Sequence, residues 1–116
     1  MEKIDRFYID SHKLIFRPQR VSSWLRGEPI YPIYIEVGLT SLCNQKCIFC
    51  AFDYYRNDNS DYIDIDTMKG FVSVISSIGV KSVLYSGEGE PLLHKDISEI
   101  INFTKENGID CALSSN

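Results

Sequence analysis

Three cysteines within eight residues, Cys43, Cys47 and Cys50, are the side chains of this 116-residue chain with the clearest chemistry. They stand in Cys43-Asn44-Gln45-Lys46-Cys47-Ile48-Phe49-Cys50, at spacings of four and three. Such spacing lets three thiols converge on one point from a single loop. Thiolates stay that close only when a cation neutralises their repulsion, so a metal centre is expected. A structural zinc takes four ligands, and the loop offers three. Cys111 lies far down the chain in an apolar run, and nothing in the sequence ties His94 to the loop. A [4Fe-4S] cluster held by three cysteines keeps one iron open, and iron–sulfur is favoured over zinc.

A second segment, Ser86-Gly87-Glu88-Gly89-Glu90-Pro91, sets glycines among carboxylates. Gly87 and Gly89 allow backbone to approach a ligand closely and to adopt positive φ. A carboxylate or a carbonyl there accepts hydrogen bonds from an ammonium group. A glycine-rich turn before a helix is common without function, so this segment gains meaning only beside the cysteines.

The elements that must position these loops follow from periodicity. An extended run, about Ile33–Val37, feeds into Gly38-Leu39-Thr40-Ser41 and the cysteine loop. After Ala51–Tyr55 the polar stretch Arg56–Asp61 is expected to be a surface loop. Asp66 is the expected N-cap of a helix ending near Gly79, with Met68, Phe71, Val72, Ile75 and Ile78 as its apolar stripe. A short strand, about Lys81–Tyr85, leads to the Gly-Glu loop. Asp96 with Glu99 resembles a capping box for the next helix, whose inner face is Ile97, Ile100, Ile101 and Thr104. Gly108 stops it, and a third strand follows at about Ile109–Leu113. These stripes are core faces.

Strand, loop, helix, repeated, is a βα pattern, and it predicts an α/β fold with parallel strands and helices packed outside. Chemistry in such folds sits at the carboxyl ends of the strands. Both loops fall there, and Ser114-Ser115-Asn116 ends the third strand at the same rim. Ahead of this core, residues 1–30 form a leader in which Pro18 opens a short helix ended by Gly27. Trp24 is expected to pack, and Arg17, Arg20 and Arg26 to form a solvated face. Glu28 to Pro32 reads as an extended connector, and residues 31–116 form the core domain.

Composition bounds the function. Apolar residues make up 44% and charged residues 24%, an ordinary globular balance for one small core. A net charge of −4 without any basic run argues against nucleic acid as a partner. No apolar run approaches membrane-spanning length, and Met1–Arg6 lacks the apolar core of a signal peptide. Clustered cysteines, rather than a spread disulfide framework, point to a reducing cytoplasm.

C-x-x-x-C-x-x-C with Phe49 before its last cysteine resembles the signature of the radical S-adenosylmethionine (SAM) superfamily. Ser86–Pro91 resembles that family's Gly-Gly-Glu-Pro segment, with Glu90 and Pro91 at its glutamate and proline and Glu88 where glycine is frequent. The resemblance runs from about Tyr31 to Asn116. It implies that Cys43, Cys47 and Cys50 bind three irons of a [4Fe-4S] cluster, whose fourth iron chelates the amino and carboxylate groups of S-adenosyl-L-methionine. Phe49, Gly87, Glu88, Gly89, Glu90 and Ser115 are then cofactor-binding, with Phe49 near the adenine. No side chain is assigned as catalytic. The implied reaction is reductive: an electron donor such as flavodoxin or ferredoxin feeds the cluster, and cleavage of the sulfonium yields a 5′-deoxyadenosyl radical. That radical abstracts hydrogen from an unknown small-molecule or peptide substrate.

The resemblance also implies a partial TIM-like barrel of (βα)6 type, of which this chain carries the N-terminal half. It is therefore expected to be a fragment, or one half of a protein completed elsewhere, with an apolar edge on its third strand. Two rival readings of the cysteines are a small iron–sulfur electron carrier, which needs a fourth ligating cysteine, and a zinc-stabilised binding module completed by His94 or Cys111.

Overall fold

The computed structural model describes residues 13–55 and 61–116. Residues 1–12 of the leader, and residues 56–60 of the expected surface loop, lie outside the described residues. The chain separates into two units, Met1–Ile30 and Tyr31–Asn116.

In the first unit a 3₁₀ turn, Lys13–Phe16, precedes helix α1, Pro18–Leu25. Pro18 sits in the first turn, where a missing N–H costs nothing because that donor has no intrahelical partner anyway. Arg26 closes the other end, its guanidinium hydrogen-bonded to Ser22, Ser23 and the Glu28 carboxylate. Gly27, at φ 74°, then turns the chain out of the helix. Helix α1 has no buried residue, and Trp24 is exposed rather than packed.

The second unit is built on three short strands, β1 (Tyr34–Val37), β2 (Ser82–Tyr85) and β3 (Asp110–Leu113). All pair in parallel, in the order β1-β2-β3. Helix α2 (Ala51–Tyr55) follows the cysteine loop, α3 (Ile65–Ser77) precedes β2, and α4 (Ile97–Glu106) precedes β3. The result is the expected α/β arrangement of parallel strands. Register aligns Ile35, Val83 and Cys111 in one row across the sheet, and Val37, Tyr85 and Leu113 in another, with the β2 residue in the middle of each. Alternation puts each such row on one face of the sheet. Ile35, Val37, Val83, Tyr85 and Cys111 pack into the core with Met68, Val72 and Ile75 of α3 and Ile97 and Ile100 of α4.

Two helix starts differ from the sequence reading. Asp64, not Asp66, caps α3: Thr67 donates to its carboxylate through both its N–H and its hydroxyl. Those bonds hold the Asp64 carboxyl below its ordinary value. Asp66 instead lies in the first turn, where its charge still favours the helix dipole. At α4 the capping box does not form: Asp96 makes no side-chain cap, and Glu99 reaches across to pair with Lys69 of α3. A tertiary ion pair has replaced a local one.

Tyr85 fixes the end of β2. Thr104 donates its hydroxyl hydrogen to the Ile100 carbonyl, so Tyr85 must donate to Thr104 Oγ1. Burial pushes the Tyr85 phenol up, which keeps it a donor. Ile100, almost wholly buried between helix and sheet, tests this core. Replacing Ile100 by valine removes one methylene and is expected to cost about 1 kcal/mol, read as a lower urea midpoint with unchanged slope.

Candidate functional site

The cysteine loop leaves β1 through a laced neck. Ile63 N–H donates to Leu39 O and Ser41 N–H to Asp61 O, both at 2.9 Å. Thr40 Oγ1 donates to Asp61 O at 3.0 Å, and Asp61 N–H to Ser41 Oγ at 2.9 Å. Thr40 and Tyr62 form an isolated antiparallel bridge. Every cysteine of the cluster lies beyond this neck, so the loop is held at its base whatever its tip does.

The Gly-Glu loop is seated on the same neck. Ser86 N–H donates to Val37 O at 3.0 Å, and Glu90 N–H to Leu42 O at 2.6 Å. A Cβ added at Gly89 would lie 2.2 Å from Thr40 O and 2.4 Å from Leu42 O, both backbone atoms. Gly87, at φ +114°, would place a Cβ 3.0 Å from the Gly38 Cα. The two glycines thus serve chain-to-chain contact. Only Gly87 has the positive φ expected of both.

Glu90 is 4% exposed, and its carboxylate is turned inward. Leu92 N–H and the Ser115 hydroxyl donate to Oε1, each at 2.9 Å, and Asn116 N–H donates to Oε2 at 2.8 Å. Burial pushes the carboxyl up, but these three bonds outweigh it and hold it below its ordinary value. Glu90 also caps the 3₁₀ turn Pro91–Leu93. Ser115 is spent on Glu90. Glu88, by contrast, is exposed and lines an open cleft of about 540 Å³ with Glu36, Gly87, Phe52 and Tyr62.

The thiols do not converge as the spacing led us to expect. No group able to hold a metal ion forms among the described residues. Cys50 N–H donates to Cys47 O at 2.9 Å, closing a tight turn whose tip carries Ile48, fully exposed, and Phe49, 87% exposed. Cys43 stands at the other end of the loop beside Asn116. Convergence needs a cation to offset thiolate repulsion, and the chain alone leaves the thiols apart. The donor set nevertheless fits an iron–sulfur cluster: three soft thiols, half-buried, none in a disulfide, on one anchored loop.

Neither rival fourth ligand is available. His94 is buried, with Nδ1 accepting from Asp96 N–H at 3.2 Å. The ring proton is therefore on Nε2, which donates to Ile63 O at 2.7 Å. Both nitrogens are used in holding the chain. Cys111 faces the helices, its sulfur 3.9 Å from the carbonyls of Ile101 and Ile109, and burial pushes its thiol up. Sequence reasoning missed Thr40, Ser41, Asp61 and Asn116, whose roles depend on contacts between distant segments; only the Thr-Ser pair after a strand hinted at one.

Gly89→Ala is expected to cost about 1–3 kcal/mol, because the new methyl meets backbone that must move. A lower urea midpoint, with extra proteolysis confined to the cysteine loop, would register it. Glu90→Gln is expected to cost about 1–3 kcal/mol at neutral pH by leaving buried donors unmatched. The native carboxyl lies below the unfolded value of about 4.3, so its contribution is complete above that pH and fades as pH falls through the native value. The gap between wild type and Glu90→Gln in urea midpoint should therefore narrow from neutral pH to roughly pH 3.

The family model of the Radical SAM superfamily matches residues 37–116, which includes both motif loops. A GTP 3′,8-cyclase of Klebsiella pneumoniae is 31% identical over 77 residues, covering 64% of this chain and 23% of that protein. A probable GTP 3′,8-cyclase of Methanocaldococcus jannaschii is 32% identical over 83 residues, 71% of this chain and 28% of its own. A GTP 3′,8-cyclase of Vibrio parahaemolyticus is 35% identical over 72 residues, 60% and 21% respectively. The chain thus spans less than a third of the length of the curated relatives it matches. In fold it is similar to the crystal structure of BtrN in complex with AdoMet and 2-DOIA. The TM-score is 0.65 at 23% identity, over 74% of this chain and 36% of that one. With the family match running across both docked loops, the chain belongs to the radical SAM superfamily.

Proposed function

We propose that this chain is the radical-generating, N-terminal part of a radical SAM enzyme with a partial (βα)6 barrel. Cys43, Cys47 and Cys50 hold three irons of a [4Fe-4S] cluster, and S-adenosyl-L-methionine binds beside them at the strand ends. The observation that carries this reading is the seating of the Gly-Glu loop on the neck of the cysteine loop, through Glu90 N–H to Leu42 O one residue before Cys43. Two loops so joined form one rim, which is what a cluster sharing a ligand with its cofactor requires. When bound, the cluster supplies the electron that breaks a carbon–sulfur bond of S-adenosylmethionine, and the resulting radical takes hydrogen from the substrate.

The residues divide the remaining tasks by exposure. Glu88 and Gly87 border the cleft and offer a carboxylate and backbone to the methionine ammonium. Phe49 is an exposed aromatic face for the adenine. Gly89, Glu90 and Ser115 serve the cofactor by keeping the rim closed. An electron donor such as flavodoxin or ferredoxin, a reducing cytoplasm, and a small-molecule or peptide substrate complete the proposal. No helix of the described residues is long and apolar enough to cross a membrane. The zinc-module alternative loses its fourth ligand, since His94 and Cys111 are both engaged elsewhere.

Anaerobic reconstitution with iron, sulfide and zinc assayed together tests the assignment. About four irons per chain are expected. Cys43→Ala, Cys47→Ala and Cys50→Ala should each lose most of that iron, and Cys111→Ala should keep it. Dithionite and S-adenosylmethionine should then release 5′-deoxyadenosine. Zinc without iron would overturn the proposal; a cluster without cleavage would remove its catalytic half.

A further inference from the structure

The tail of β3 reaches back to the ligand loop across 73 residues of sequence. Its path there is fixed by the buried Glu90 carboxylate, which accepts from the Ser115 hydroxyl on one oxygen and from Asn116 N–H on the other. Two successive residues gripped by one carboxylate leave the Asn116 backbone little freedom. From this hold its carboxamide points at the cysteine loop. Nδ2 donates to Asn44 Oδ1 at 3.2 Å and lies 3.8 Å from Cys43 Sγ, within reach of an N–H···S hydrogen bond. A carboxamide nitrogen carries two hydrogens, so one donor group serves both contacts. Asn44 in turn orients the amide plane, because its oxygen takes the hydrogen directed away from sulfur. Among the described residues, neither Cys47 nor Cys50 has a hydrogen bond to its sulfur.

We infer that Asn116 is a positioning residue for Cys43: it fixes the direction of the Cys43 sulfur, and Glu90 anchors it in place. The chemistry agrees, because a neutral N–H donor stabilises a thiolate without competing as a metal ligand. Resting on the cluster assignment above, the inference extends one step. When Cys43 ligates iron, the same N–H donates to the ligand sulfur and makes the cluster easier to reduce, since hydrogen bonds to cluster sulfurs set the potential. One ligand of three would receive this donor from the Asn116 side chain, so the third strand would tune the centre from one side.

The first test uses the full chain without metal. Iodoacetamide alkylation, resolved by cysteine with mass spectrometry, is run near pH 10, where ordinary thiols are ionised and rates report access and direction. Asn116→Ala should speed alkylation of Cys43 several-fold while Cys47 and Cys50 keep their rates. Asn116 is exposed, so this variant keeps the fold, which circular dichroism verifies. Glu90→Gln should release Cys43 in the same way with Asn116 intact; should it unfold, Asn116→Ala alone decides. An unchanged Cys43 rate in Asn116→Ala overturns the positioning role. In the reconstituted protein, Asn116→Ala should lower the midpoint potential at equal iron content, and Asn116→Asp, which sets a carboxylate against sulfur, should lower it further. Equal potentials across these proteins overturn the donor to the cluster and leave the function standing. A wild type that takes up no cluster defeats the function instead, and the alkylation rates still decide whether Asn116 holds Cys43.

Discussion

One close approach between two backbones underlies the whole rim: Gly89 lies directly on the carbonyls of Thr40 and Leu42. Such a contact has no side chain to adjust, so its tolerance is a few tenths of an ångström. Glu90 N–H, the next donor along, lands on Leu42 O because the approach brings it there. From that point the Glu90 carboxylate extends the connection to the tail of β3. The ends of three parallel strands are joined in this way by a glycine and a glutamate that are neighbours in sequence.

Burying a carboxylate is costly unless its oxygens are satisfied, and here two backbone N–H groups and a hydroxyl satisfy them. This explains why one glutamate of the loop differs so much from the other. Glu88 keeps its carboxylate in solvent at the cleft, where a ligand can reach it. Glu90 has already given its acceptors to the chain. Identical chemistry two residues apart is divided between holding a rim and facing whatever the rim surrounds.

Much of this was legible in the sequence, for a physical reason. The stripes Met68–Val72–Ile75 and Ile97–Ile100–Thr104 are buried as their spacing predicts, because helical periodicity is local and repeated. Parallel order followed from the alternation of strands and helices, and both motif loops lie at the strand ends. Other features were out of reach because they depend on partners far along the chain. Asp64 and Asp66 look equally suited to cap α3, and only the position of Thr67 separates them. Glu99 was drawn to Lys69 on another helix. The exposure of Trp24 was equally out of reach, because an apolar residue at helical spacing reads the same whether or not its helix is covered.

The neck of the cysteine loop has a consequence for assembly order. The ties that hold it join residues such as Thr40 and Asp61, 21 apart in sequence, and Leu39 and Ile63, farther still, and the tie to Asn116 spans 73. Contacts of such separation form after local ones, because chain entropy must be given up before they return anything. The helices and the sheet must exist before the rim can close. A small zinc domain works the other way round, its metal drawing an unfolded chain together. Here the chain's own hydrogen bonds close the rim.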